Sequence, residues 1–487
     1  MDIRTRIAPS PTGFMHIGTL RTILWDYFMA RQAGGSFIIR IEDTDQERYV
    51  PGSVEGLLQA LTRVGIDWDE GPVLLPDGSL GERGALGPYT QTKRLDIYAK
   101  YAQDLLSAGH AYHCFCSPER LEEMRAEQMA LKQTPKYDRK CLSLNIDEVV
   151  ARQAGGEKSV IRMKMPEGEV TFDDAIRGRI SFDLKDVDDQ VIVKSNGIPT
   201  YHLAVVVDDY LMKISHVLRG EEWLSSTPKQ IVLHHMLGIP MPVYAHVPLI
   251  LNPDKTKLSK RKGDVSVTSY LEKGYLPSAL LNFLATLGFN PSASQEIFTL
   301  DELIKAFDIS RVNKSGAVMN IEKLDWMNKQ YLVAMGEGEY LAYAQQFTSA
   351  DLSDPFMRRA ALVDKMRVSR LTELANIQEQ YFTTQQINQE DLLGKKGSAN
   401  TVKDALERME KLVTSLRDET LSAPQLIEGE IKTYITNEGL QTGLVLWPLR
   451  VALSTRLQSA SPFEYLYILQ KDESLKRIRA ALTLFGA

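Results

Sequence analysis

The chain has 487 residues, 44% apolar and 25% charged, the make-up of a soluble globular protein of roughly two to four domains. Its net charge of −6 excludes a sequence-independent DNA-coating protein, which is strongly basic. Local cation patches remain, the densest being Lys255, Lys257, Lys260, Arg261 and Lys262. No stretch reaches the ~18 apolar residues of a membrane span, and the N-terminus lacks an apolar signal-peptide core. Three cysteines cannot make a disulfide framework, so no membrane role and a reducing cytoplasm are expected.

Residues 5–9 (TRIAP) read as a short strand closed by a Pro/Gly turn. A helix starts near Gly18, with Leu20, Ile23, Leu24, Tyr27 and Phe28 at helical spacing, and Gly34 and Gly35 end it. Residues 36–42 (SFIIRIE) form an apolar run of strand length that leads into Glu42, Asp43 and Asp45. An amphipathic helix spans 94–108, with Leu95, Tyr98, Ala102, Leu105 and Leu106 on one face. Such alternation implies a doubly wound parallel sheet, Rossmann-like, whose ligands bind outside the carboxyl ends of the strands. Residues 9–19 and 42–45 both follow strands and are expected to face one crevice.

Residues from about 110 to 195 break the alternation. They hold all three cysteines, a charged helix over 118–132 and strand-like pieces at 159–165 and 190–195. This reads as an α+β insertion between two halves of the sheet. Alternation resumes with 199–211 (PTYHLAVVVDDYL), read as a strand ending in Asp208 and Asp209. A helix carrying His234 and His235 and a strand over 247–251 follow, then a lysine-rich loop. From about Ser269 the chain reads as helical to its end.

Two segments carry chemistry. His16-Ile17-Gly18-Thr19 lies at the first strand–helix turn, where free N–H groups and the helix dipole favour a phosphate. An imidazole there can donate to a triphosphate oxygen as charge builds in nucleotidyl transfer. The bland alternative is a helix-start histidine satisfied by backbone. Lys257-Leu258-Ser259-Lys260-Arg261 places two lysines three apart, suited to holding a pyrophosphate leaving group. Its alternative is a solvated basic loop. The conjunction favours the functional reading, since both sit at strand ends of one pattern.

Residues 6–13 (RIAPSPTG) with 16–19 (HIGT), then 40–45 (RIEDTD), then 254–261 (DKTKLSKR), together resemble the bacterial glutamyl-tRNA synthetases, of the class I aminoacyl-tRNA synthetase family. Gly71-Pro72, the Tyr89, Gln91 and Arg94 set, 199–202 (PTYH), 219–223 (RGEEW) and the helical C-terminal part extend the resemblance over essentially the whole chain. The resemblance implies ATP with Mg2+, L-glutamate and tRNA(Glu) as ligands, with tRNA(Gln) as a further substrate to be tested, in a monomer. It implies that Arg6 and Arg219 hold the substrate carboxylates, as planar guanidinium forks do. Glu42 would accept the substrate ammonium, while Tyr201 and the backbone near Ala8 and Ser10 line the pocket. His16, Lys257 and Lys260 would act on the phosphates, with Pro9, Ser10, Gly18, Thr19 and Ser259 around the nucleotide. Glu222 and the Ile250 backbone would contact ribose and adenine. Asp208 and Asp209 read as structural or tRNA-facing. The pattern departs from its class at Thr19, where a histidine is general, at the K-L-S-K-R form of the lysine motif, and at Val205, where some relatives carry asparagine.

Cys114, Cys116 and Cys141 match the start of a zinc knuckle found in some relatives, which implies one structural Zn2+. Ser143 stands where a histidine ligand is frequent, leaving Tyr137 or His113 for the fourth place; the alternative is three ordinary thiols. His234 and His235 read as helix packing, because adjacent helical residues point about 100° apart. Trp326 and Trp447 are either core or base-stacking residues. The implied domains are a catalytic part over 1–110 and 196–255, an acceptor-stem insertion over 111–195, a helical stem-contact region over 256–325 and an all-helical anticodon part over 326–487. A cofactor adenylyltransferase and a catalytically dead tRNA-binding protein are the competing classes. The first lacks a long helical tail, and the second should have lost His16, Glu42 or Lys260.

Overall fold

The computed structural model describes residues 2–258 and 265–486. Strand β1 (Arg4–Ile7) and strand β2 (Ser36–Ile39) pair in parallel, with Arg4 opposite Ser36 and Ile7 opposite Ile39. A parallel pair needs a crossover, and α1 (Ile17–Gln32) supplies it. This helix is buried on nearly all sides, through Leu20, Ile23, Leu24, Trp25 and Phe28, so it lies between layers rather than on a surface. Gly35 follows because the chain passes so close to Ile3 that a Cβ would sit 1.9 Å from its carbonyl oxygen. Helix α2 (Ser53–Arg63), the hairpin of β3 (Gly71–Leu74) and β4 (Leu80–Arg83), and α3 (Leu95–Ser107) complete the first half.

The next segment is α+β. Strand β5 (Ala111–Cys114) precedes α4 (Pro118–Ala130), capped by the Ser117 side chain, and α5 (Ile146–Ala154), opened by an Asn145–Glu148 capping box. Strands β6 (Val160–Met163), β7 (Glu169–Asp174), β8 (Gly178–Asp183) and β9 (Val191–Val193) follow. β5, β6 and β9 form one antiparallel sheet, and β7 and β8 a separate hairpin.

Residues 199–211 correct the sequence reading. They hold α6 (Tyr201–Leu211), not a strand. The valine run Val205, Val206 and Val207 suggests a strand, but these positions are all buried inside a helix packed on α3 and α7. Apolar runs of this length do not separate a buried strand from a buried helix, and tertiary packing decides. Asp208 and Asp209 therefore lie within a helix. Beyond it, β10 (His216–Gly220) pairs in parallel with β11 (Val243–Val247) across α7 (Thr227–Leu237). Ser215 N–H donates to the Arg4 carbonyl at 3.0 Å, bringing this second parallel pair alongside β1. The expected strand over 247–251 splits at Pro248 and Leu249: Val247 ends β11, and β12 (Ile250–Leu251) pairs with β13 (Ala317–Val318). That short strand also interrupts the expected unbroken helical run. Around it lie α8 (Val267–Glu272), α9 (Pro277–Thr286), α10 (Leu300–Ala306) and α11 (Ile321–Ala334).

Two compact units emerge, Met1–Glu272 with Pro277–Leu324, and Lys273–Leu276 with Asp325–Ala487. The second is helical: α12 (Glu337–Ala344), α13 (Pro355–Asp364), α14 (Ile377–Phe382), α15 (Gln389–Leu393), α16 (Ala399–Ser415), α17 (Pro424–Asn437), α18 (Thr442–Ser454) and α19 (Pro462–Leu482). Trp447 belongs to its packing, with its indole N–H donating to the Asp391 carbonyl at 2.9 Å, whereas Trp326 is 41% exposed. No helix among the described residues is long and apolar enough to cross a membrane.

Candidate active site and thiol cluster

At the carboxyl ends of β1 and β10 lies a cavity of about 740 Å3. Arg6, Ala8, Pro9, Ser10, His16, Gly18, Thr19, Glu42, Tyr201, Arg219, Glu222, Ile250 and Lys257 all line it. Ser259 and Lys260 lie outside the described residues. The segment that follows the lysine motif is joined by backbone to the first turn. His16 bridges Ser266, Ile17 N–H donates to Val265 at 2.9 Å, and Val267 N–H donates to Met15 at 3.0 Å. Residues just beyond the lysine loop are thus tied to the first turn.

His16 caps α1 by accepting the Gly18 N–H on Nδ1 at 2.9 Å. The proton of the neutral ring then sits on Nε2. The capping and phosphate readings of this residue are therefore compatible. Lys257 Nζ lies 3.5 Å from Glu222 in an exposed pair. A Cβ on Gly220, at the end of β10, would meet the Glu222 carboxylate at 2.1 Å, so that flexible, exposed side chain would have to swing aside.

The two arginines of the pocket are held differently. Arg6, 3% exposed, donates to both oxygens of Asp209 at 3.1 and 3.2 Å. Asp209 also accepts from Arg40 at 2.7 Å, and Arg40 reaches Glu42 at 2.9 Å. Burial pushes the Asp209 carboxyl up, but Arg6 and Arg40 outweigh it and hold the group below its ordinary range. Glu42 goes the other way: burial raises it, and Arg40 and Arg6 only partly oppose that. Asp208 anchors α6 by accepting from Arg94 at 2.7 Å, Tyr98 at 2.8 Å and Gln91 at 2.9 Å.

Arg219 has only neutral hydrogen-bond partners among the described residues. Its Nε–H donates to His246 Nε2 at 3.0 Å, and its terminal nitrogens donate to Gln230 and Thr227 at 2.7 Å and to the Tyr201 hydroxyl at 3.2 Å. The Tyr244 ring lies 5.0 Å beneath the guanidinium. His246 in turn places Nδ1 2.6 Å from Asp174, the last residue of β7. Sequence reading missed His246, Asp174, Thr227, Gln230 and Arg40 as parts of this site. None of the first four sits in a motif, and Arg40 precedes Glu42 in the strand-end segment without a separate signal.

In the α+β segment, the Sγ atoms of Cys114, Cys116 and Cys141 lie within 4.8 Å of one another. The Tyr137 hydroxyl is 3.4 Å from both Cys114 and Cys116, and Cys116 and Cys141 are 3.5 Å apart. Tetrahedral zinc with Zn–S of 2.3 Å spaces sulfurs about 3.8 Å apart, so three thiols and one phenol fit a four-donor site. His113 drops out: its ring meets Ser159 at 3.1 Å, on the other face of β5. His234 is buried and His235 exposed on α7, as packing requires.

Residues 2–326 match the family model described as tRNA synthetases class I (E and Q), catalytic domain, and residues 339–482 that of an anticodon binding domain. The chain is 40% identical to the glutamate–tRNA ligase of Finegoldia magna over 99% of both chains. It is 49% identical to that of Clostridioides difficile over 73% of this chain and 71% of the relative. Among solved structures it is similar to a glutamate tRNA ligase from Elizabethkingia meningosepticum in complex with its amino acid, with a TM-score of 0.88, 35% identity and full coverage of both chains. With whole-length identity on top of the site geometry, the chain belongs to the glutamate–tRNA ligase family of class I tRNA synthetases.

Proposed function

We propose that this protein activates L-glutamate with Mg-ATP and passes it to the terminal adenosine of tRNA(Glu). The single observation that carries the reading is the convergence of Arg6, Glu42, Arg219, the His16 turn and Lys257 on one cavity. A carboxylate oxygen of glutamate attacks the α-phosphorus, the bond to the β-phosphate breaks, and pyrophosphate leaves. A hydroxyl of the terminal adenosine, the 2′ one under the class rule, then attacks the activated carbonyl. AMP leaves, and the hydroxyl proton passes to solvent. No side chain acts as a covalent nucleophile; positioning and charge stabilisation do the chemistry. Mg2+ offsets phosphate charge.

Arg6 and Arg219 hold the two carboxylates, Glu42 takes the ammonium, and Tyr201 with the Ala8–Ser10 backbone closes the pocket. His16 and Lys257 take the phosphates, with Pro9, Ser10, Gly18 and Thr19 around the nucleotide, and Glu222 and the Ile250 backbone take ribose and adenine; the family resemblance gives Lys260 and Ser259 phosphate and nucleotide roles. The 1–110 and 196–255 segments form the catalytic part, and 111–195 receives the acceptor stem. The 256–325 region contacts the stem, and 326–487 the anticodon. One structural zinc sits on Cys114, Cys116, Cys141 and Tyr137. The protein works as a monomer in the cytoplasm. Charging of purified tRNA(Glu) and tRNA(Gln) with labelled glutamate tests the reading. Charge on tRNA(Glu) alone or on both supports it, and charge on neither refutes it.

A further inference from the structure

The inserted α+β segment reaches the amino-acid pocket through one turn. Asp174 ends β7, and its carboxylate is fully occupied. One oxygen accepts the backbone N–H groups of Ile176 at 3.0 Å and Arg177 at 2.8 Å. The other accepts the His246 N–H at 3.0 Å and faces its Nδ1 at 2.6 Å. Arg177, in the same turn, donates to the His246 carbonyl at 3.1 Å and pairs with Glu221 beside the cavity. His246 and Asp174 are both fully buried at the side chain.

This arrangement decides which nitrogen of His246 carries the proton. A carboxylate only accepts, so Nδ1 must be the donor, and Nε2 is left with its lone pair. That lone pair faces Arg219 Nε–H at 3.0 Å. With the opposite tautomer two N–H groups would confront each other in a dry site. The same histidine therefore helps fix the rotation of the guanidinium about its last bond, while Gln230, Tyr201 and Thr227 take three of the four terminal N–H groups.

We propose that His246 and Asp174 are positioning residues for glutamate recognition: the turn after β7 locks the His246 tautomer, and His246 aims Arg219 at a substrate carboxylate. The proposal rests on the glutamate-activating reading above and adds two residues that do not touch substrate. It also makes the inserted segment part of the amino-acid pocket, not only a neighbour of it.

The test is steady-state aminoacylation of tRNA(Glu) by the full-length protein, with KM measured separately for glutamate, ATP and tRNA. His246→Phe keeps the ring volume but removes the acceptor. It should raise the KM for glutamate about 10–100-fold, the scale of a lost hydrogen bond to a charged group, with ATP and tRNA within about twofold. His246→Gln offers an amide oxygen near the Nε2 position and should recover most of that loss. Asp174→Asn is the same size and can present an N–H to Nδ1; it should reproduce the Phe effect. Equal changes in all three KM values, unchanged glutamate KM, or no recovery with Gln would overturn the proposal. If Phe does not fold, the Asn and Gln variants decide between the same outcomes. A wild-type protein that charges no glutamate removes the underlying reading, and the proposal falls with it.

Discussion

Asp209 grips Arg6 with both carboxylate oxygens, at 3.1 and 3.2 Å, while a third bond of 2.7 Å ties it to Arg40. One anion thus restrains two buried cations, and the cavity-lining guanidinium of Arg6 is held in a fixed orientation. Replacing Asp209 with Asn leaves Arg6 and Arg40 with less compensation. The expected loss is about 3–5 kcal/mol, the scale of breaking a buried pair from one side. Urea unfolding should show a lower midpoint at an unchanged slope. An unaltered midpoint would show that the network contributes little.

Glu42 has a different signature. Burial pushes its carboxyl up, and Arg40 and Arg6 only partly pull it back. Ammonium binding needs the ionised form, so the KM for glutamate should rise as pH falls through this elevated value. Glu42→Gln should remove that dependence and lower kcat/KM for glutamate by about 10–100-fold, as for one lost charge-assisted hydrogen bond. Pyrophosphate exchange measured against pH follows both effects.

Lys260→Ala should lower turnover by roughly 10²–10³-fold, the scale of one transition-state donor. ATP–pyrophosphate exchange reads it, with and without tRNA. The family resemblance implies that exchange requires tRNA, so equal rates in both conditions would count against the assignment.

The thiol cluster makes a metal prediction. Protein purified without chelator should carry about one equivalent of zinc, and Cys141→Ser should lose it. Tyr137→Phe should weaken retention less, because a phenol is the least usual of the four donors. Metal content well below one equivalent in the wild type would leave three plain thiols.

Stability should also depend on pH through His234. Burial lowers its pKa from 6.5 to about 4. The unfolded chain then binds more protons than the folded one between these values. Stability is complete above pH 6.5 and falls as pH drops towards 4, by an amount on the order of 3 kcal/mol. His234→Leu should flatten the melting-temperature profile across that window.

The catalytic elements that sequence periodicity located are those whose pattern is local. β1 and its Pro/Gly turn, α1 with its glycine stop, and α3 with one apolar face could all be read from a few consecutive residues. α6 could not, because Val205, Val206 and Val207 look the same in a buried strand and a buried helix; contacts with α3 and α7 settle it. The residues around Arg219 were illegible for another reason. His246 is a lone histidine in a short strand, and Asp174 lies 72 positions earlier, so only the folded chain brings them together. The split at Pro248 and Leu249 is marked in the sequence by the proline, but the apolar run around it reads as one continuous strand.

The unlike company of the two pocket arginines has a last consequence. Arg6 arrives with its charge answered by Asp209, but no carboxylate among the described residues pairs with Arg219. A ligand bearing a second acid group answers that cation. Its amide counterpart would leave this guanidinium, 6% exposed, without a counter-charge, which disfavours the amide. If Arg219 takes a substrate carboxylate as proposed, choosing the acid over its amide is a property of the uncharged ring of residues around it, and adding an anion to that ring should erase the choice without touching the arginine itself.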